Sequence, residues 1–200
     1  MLDALFQIDK TILLFCNTTI ANPVFDVVMP FITDLNKHWY GFVIYGAALL
    51  LLIWKGGRKG RTLALLVIVL VAFSDQLSSS VLKRIVARPR PCHEIAGMVV
   101  VEQVRLVIPC GGGTSFPSSH AVNNFAVAAF LSFYYRRWRW AFYSFAGIVA
   151  FSRVYLGVHF PSDVVGGAAI GMACTYVVIW LWADVERWFP KLRFSPQEET

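Results

Sequence analysis

Five long apolar stretches, His38 to Trp54, Thr62 to Leu82, Ala121 to Tyr135, Trp140 to Gly157 and Val164 to Trp182, dominate this chain. A helix crossing a bilayer takes about 20 apolar residues with few charges, so stretches of this kind, joined by short polar hinges, constrain the fold more than any other feature. Over 200 residues, 57% hydrophobic content against 15% charged and a mean hydropathy of +0.59 exceed what a soluble core of one domain needs. In lipid each backbone polar group must be satisfied internally. The expected architecture is therefore all-α: a polytopic membrane bundle of about six helices, five of them spans and one from the N-terminal segment.

Met1 to Ile20 carries Asp3, Asp9 and Lys10 where a cleavable signal would be continuously apolar, so the start is expected to be retained. As a helix, Met1 to Phe15 would line up Leu2, Leu5, Phe6, Ile12, Leu13 and Phe15 as an apolar stripe ending before Asn22-Pro23, which reads as an interfacial helix. Val24 to Thr33 is apolar but short, holds Asp26 and Pro30, and fits either a second surface helix or half of a first span. Residues 1–36 are thus set apart from a membrane core at 37–185 and a cytoplasmic tail at 186–200.

The net charge of +6 and pI near 9.3 do not describe a nucleic-acid face, because the basic residues sit at span ends without interleaved aromatics. Lys55, Arg58, Lys59 and Arg61 fill one hinge, Arg136, Arg137 and Arg139 another, and Arg187, Lys191 and Arg193 follow the last span. The positive-inside rule makes these three places cytoplasmic, which puts Lys83 to Ser119 and Leu156 to Asp163 on the opposite, extracytoplasmic side. Lys83, Arg84, Arg88, Arg90 and Arg105 breach that rule locally, and an anionic ligand is one reason for such a breach. The seven Trp lie near span ends, as interfacial anchors do.

The chemistry gathers on that same side. Lys83 to Pro91 offers guanidinium forks and an ammonium that match phosphate oxygens, although alone it reads first as a snorkelling or headgroup anchor. Gly111 to His120 runs a flexible Gly/Ser segment into a helix start, where N–H groups collect an anion and His120 is placed to donate a proton. Arg153 sits inside an apolar span, an expensive place for a charge. Asp163 follows His159 by four residues, so its carboxylate is placed to fix the His tautomer and leave the other nitrogen free to attack. For Asp75, in the polar patch to Ser80, helix-to-helix hydrogen bonding is the expected role; His38, His93 and Asn124 are minor candidates.

Read in order, Lys83 to Arg90-Pro91, Pro117-Ser118-Ser119-His120, and Ser152-Arg153 to His159 to Asp163 resemble the signature of the type 2 phosphatidic acid phosphatase superfamily, K-x6-RP, PSGH and SR-x5-H-x3-D. The spacing selects Arg90 over Arg88, and Ser119 stands where that family usually has Gly. The resemblance implies that His159 attacks phosphorus, Asp163 orients it and His120 protonates the leaving oxygen. Lys83, Arg90, Arg153, Ser118 and the main chain at Ser119 would hold the phosphate, with no metal and no cofactor. The implied substrate is a membrane lipid phosphate, undecaprenyl diphosphate first, with phosphatidylglycerol phosphate, phosphatidate and lipid A phosphates as alternatives. A vanadate-type haloperoxidase relative, which shares the signature in soluble proteins, and a non-catalytic lipid transporter or binder are the readings from other classes. Cys92 and Cys110 bracket the Val-rich Met98 to Ile108 stretch, itself a candidate hairpin or lid, and are candidates for a disulfide in an oxidising compartment; Cys16 and Cys174 read as small apolar filling.

Overall fold

Helices occupy the apolar stretches in the structure, a computed structural model that describes residues 2–35, 38–95 and 97–192. In chain order they are α1 (Leu2–Leu14), α2 (Pro23–Thr33), α3 (Trp39–Gln76), α4 (Lys83–Val86), α5 (Ser119–Tyr134), α6 (Arg139–Tyr155) and α7 (Pro161–Trp188). Wider π turns at Phe15–Thr19 and Leu77–Leu82 follow α1 and α3. The expected boundary at Asn36 and Lys37, and the tail from Arg193 onward, lie outside the described residues. Local chemistry sets the helix starts. Asn22 caps α2 by accepting the Phe25 N–H at 2.9 Å, and Pro occupies the first turn of both α2 and α7, where its missing N–H costs nothing.

Trp39–Val86 and Pro161–Trp188 are long and apolar enough to cross a membrane. The first holds two of the expected spans, divided at Gly57 (φ 55°, ψ −130°), in the left-handed region that favours glycine. The stretches expected from 121 and from 140 form helices of 16 and 17 residues, short of a full crossing by count, and both pack against α7. Leu63, Leu66 and Leu70 of α3 meet Ala126, Phe130 and Tyr134 of α5 and Cys174 and Val178 of α7 in the largest core. Along α7, Gly167, Gly171 and Thr175 recur every fourth residue and let the α5 backbone come close, and Thr175 Oγ1 donates to the Ala126 carbonyl at 2.7 Å. Inside the bundle Asn123 donates to Asp75 Oδ1 at 2.9 Å and accepts from Ser74 Oγ at 2.7 Å, the interhelical role expected of Asp75.

The N-terminal segment departs from its reading as one apolar stripe. Its helices meet at a bend of 116°, and α1 turns Asp9, Leu13 and Phe6 inward while Leu5, Ile8, Ile12 and Phe15 face outward. In a bilayer the outward face meets lipid, so the polar Asp9 can be the inward one. The loop after α4 is likewise less open than its charge implies. A two-residue ladder pairs Glu94 with Val99 and Ile95 with Met98, and the Cys92–Cys110 disulfide, with Cα atoms 6.0 Å apart, closes the base. Arg105, one of the charges that breach the positive-inside pattern, donates to Asp26 through two bonds of 2.9 Å and from Nε to the Asn17 carbonyl at 3.2 Å, while its main-chain N–H donates to Asn17 Oδ1 at 2.7 Å. Its partner is a carboxylate of the chain itself, not an external anion.

Closing a loop over a sequence separation of 18 residues removes roughly 3 kcal/mol of unfolded-chain entropy. A Cys92→Ser/Cys110→Ser variant is accordingly expected to unfold in detergent at a clearly lower temperature. An unchanged midpoint would mean that the ladder and the Arg105 anchor close the loop unaided.

Candidate active site

One end of the bundle carries both helix starts, α5 and α7, and the end of α6. The Ser118 N–H donates to the Asp163 carbonyl at 3.1 Å, which ties the starts together. The basic hinges gather at the other end, where Arg58 donates to the Lys191 carbonyl and Lys59 lies 5.4 Å from the Tyr135 ring centre.

His159 and Asp163 form the centre, 2% and 0% exposed. His159 belongs to the tight connection from Leu156 to Phe160. Gly157 (φ 74°) makes that turn where a Cβ would press on Val104 and the Arg105 carbonyl, at 2.7 and 3.0 Å. Asp163 Oδ2 accepts the Phe160 N–H at 2.8 Å and the Ser115 hydroxyl, and faces His159 Nδ1 at 3.6 Å. Ser115 Oγ stands 3.4 Å from the same nitrogen, so Nδ1 is directed at an acceptor pair and Nε2 is the imidazole nitrogen left over. Burial pushes the His159 pKa down to about 4; Asp163 pulls it upward, and the charges of Arg153 and Arg90 press it further down. The ring is therefore neutral at pH 7, the state in which one ring nitrogen keeps its lone pair.

Around it stand the cations. Arg153, 5% exposed, donates to Thr33 Oγ1 of α2 at 2.8 Å, while its Nε is buried and finds no hydrogen-bond partner among the described residues. Ser118 Oγ is buried and unpartnered in the same way. Two such donors leave the full desolvation penalty standing unless an acceptor arrives, and an anion supplies one. Arg90 is also buried, donates from Nε to the Gly113 carbonyl at 3.3 Å, and has Gly111 against its NH1, where a Cβ would come to 3.3 Å. Burial pulls its guanidinium below the ordinary value and the Asp163 charge pulls it back up. Lys83 is half-buried, and its carbonyl accepts the Thr114 hydroxyl at 3.0 Å, pinning the Gly-rich segment to α4. His120 occupies the first turn of α5, and the Ser119 hydroxyl accepts from Ser78 Oγ at 3.2 Å.

All eight residues singled out from the sequence thus sit at one end of the bundle. The minor candidates do local work: His93 bridges the Arg90 N–H and the Gly111 carbonyl, Asn124 donates to the His120 carbonyl at 2.9 Å, and His38 stacks on Tyr40. Four participants escape a reading of the sequence, namely Ser115, Thr33, Arg88 and Asp9. Ser115 lies inside the Gly/Ser run that marks the helix start. Thr33 and Asp9 carry no signal, since a lone polar residue on an apolar helix reads as surface. Arg88, which spacing disfavours, donates from NH1 to Asp163 Oδ1 and from NH2 to Asp9 Oδ2, both at 2.7 Å.

A neutral buried imidazole beside a carboxylate, a second imidazole at a helix start and desolvated cations are the groups phosphoryl transfer calls for, here borne by membrane helices: the class is a membrane phosphatase. The chain belongs to the PAP2 superfamily, whose family model matches residues 62–187, and it is a membrane lipid phosphatase. A lipid A 4'-phosphatase of Bacteroides thetaiotaomicron is 36% identical over 182 residues, covering 86% of this chain and 75% of that protein. The undecaprenyl-diphosphatase BcrC of Bacillus subtilis is 28% identical over 151 residues, 76% of this chain and 72% of the relative. Among solved structures, the first transmembrane PAP2 type phosphatidylglycerolphosphate phosphatase from Bacillus subtilis superposes with a TM-score of 0.65 at 27% identity, over 92% of this chain and 89% of that one.

Proposed function

We propose that the chain hydrolyses a lipid phosphate through a phosphohistidine, on the extracytoplasmic face. His159 Nε2 attacks phosphorus and forms the N–P bond as the P–O bond to the lipid breaks. His120 delivers a proton to the departing oxygen, and the Nδ1 proton of His159 stays directed at Asp163 and Ser115. Lys83, Arg90, Arg153, Ser118 and the Ser119 main chain hold the transferring oxygens. Water then cleaves the N–P bond, His120 taking its proton, and inorganic phosphate leaves. The observation that carries this reading is the pair of buried, unpartnered donors, Ser118 Oγ and Arg153 Nε, beside a neutral imidazole. The basic hinges gathered at the far end support the outward side.

For the lipid, relatives named lipid A 4'-phosphatase cover 86% and 94% of this chain at 36% and 29% identity, which favours a phosphate monoester on lipid A. Undecaprenyl diphosphate, the sequence-based expectation, is the second reading, supported by relatives named undecaprenyl-diphosphatase. The deciding assay is phosphate release by the purified protein in detergent with EDTA, from lipid A, undecaprenyl diphosphate, phosphatidylglycerol phosphate and phosphatidate. Preference for lipid A supports the first reading, preference for the diphosphate reverses the order, and loss of release with EDTA overturns the metal-free chemistry.

A further inference from the structure

Arg88 stands beside the centre with its guanidinium taken up by carboxylates of the chain itself. Its NH1 donates to Asp163 Oδ1 at 2.7 Å and to Ser162 Oγ at 2.6 Å, its NH2 donates to Asp9 Oδ2 at 2.7 Å, and its guanidinium carbon lies 4.1 Å from the Phe160 ring centre. Asp9 also takes the Ser162 N–H at 2.8 Å and the Ser162 hydroxyl. A guanidinium so engaged has carboxylates for partners, whereas Arg153 keeps a buried Nε without one. The side chains of Arg88, Asp9 and Asp163 are 24%, 7% and 0% exposed, so the contacts lie largely out of solvent, where charge-assisted bonds hold geometry firmly.

We propose that Arg88 and Asp9 are positioning residues for the phosphoryl transfer, with α1 reaching into the site to fix the Asp163 carboxylate through the Arg88 fork. Asp163 has two oxygens with two tasks. Oδ2 serves the Ser115 hydroxyl, the Phe160 N–H and the His159 side, and Oδ1 is held from behind by Arg88. Without Arg88 the carboxylate can rotate about its χ2, because Oδ1 loses the guanidinium that holds it, while Asp9 keeps only its bonds to Ser162. Asp9 acts in the same way at one remove, because it fixes the second arm of the fork. The inference rests on the phosphohistidine reading, since it matters only if Asp163 orients an attacking imidazole.

The test is steady-state kinetics on the full chain in detergent, using whichever lipid of the four-member panel the wild type turns over fastest, with orthovanadate as the probe of the phosphate site. Arg88→Met is expected to lower kcat about a hundredfold and Asp9→Asn about tenfold, as small misplacements of reacting groups do. KM and orthovanadate inhibition should move less than about threefold in both. Arg88→Lys restores some of the loss, and the double variant Asp9→Asn/Arg88→Met is no worse than Arg88→Met alone, since both act through one chain of contacts. If Arg88→Met does not fold, Asp9→Asn and Arg88→Lys carry the same split. A rise in KM and weaker orthovanadate inhibition at unchanged kcat would put Arg88 on the substrate, and unchanged kinetics would leave it a structural brace; either overturns the proposal. Undiminished turnover by His159→Ala, or none of any panel lipid by the wild type, would instead remove the phosphohistidine reading beneath it.

Discussion

His159→Ala is expected to abolish phosphate release, by at least about ten-thousandfold, because removing a nucleophile forfeits the covalent route and leaves only the binding groups. Its acid-labile phosphoenzyme, trapped from the wild type by rapid quench, should vanish with it. A subtler consequence follows from burial. With a folded pKa near 4 against an ordinary value of 6.5, the unfolded chain binds a proton at this position between those limits and the native chain does not. Stability from this residue is therefore complete above about 6.5 and falls as pH drops toward 4, by at most about 1.4 kcal/mol per pH unit. His159→Gln should flatten that limb of a stability–pH curve measured in detergent. An equal slope in both proteins would mean that the ring titrates in solvent and is not the buried neutral imidazole described above.

The second large effect is expected at Gly171, where packing sets the limit. A Cβ there would sit 2.2 Å from the Val122 carbonyl oxygen and 2.9 Å from the Ala126 nitrogen, both backbone, so α5 and α7 would have to separate. Gly171→Ala should cost about 3 kcal/mol, toward the upper end of overpacking effects, and lower the unfolding midpoint by on the order of 10 °C. Gly147→Ala on α6, where a Cβ meets nothing within 4 Å, is the control and should leave the midpoint in place. Equal midpoints for the two variants would show that the helices are not in the close contact described.

The helical membrane architecture is legible in the sequence because apolar length is a one-dimensional signal. The gathering of the eight candidate site residues at one end is legible too, because their motifs lie at fixed spacings around helix ends. Arg88 shows where that legibility stops: spacing prefers Arg90 for the phosphate, and nothing in the run of residues says that the neighbouring guanidinium serves carboxylates 75 and 79 positions away. Asp9 is illegible for a physical reason. The rule for water turns the apolar face of a helix inward, whereas lipid outside allows the polar residue to be the buried one. Gly167 and Gly171 do carry a readable signal, a small residue repeated at four, whose meaning emerges only once α5 is seen lying against it.

The loop closed by Cys92 and Cys110 bears on how such a chain diversifies. Arg90 lies two residues before its first cysteine and Gly111 one after its second, so the covalent tie falls between the reacting groups and the segment 93–109. Within it Val101 is buried and Arg105 is tied to Asp26, so the exposed ladder, Glu94 with Val99 and Ile95 with Met98, is the part that can change its apolar character while the two points that border the chemistry stay a fixed distance apart. That exposed tip can be redrawn without rebuilding the catalyst. One reaction centre can in this way sit unchanged beneath different surfaces.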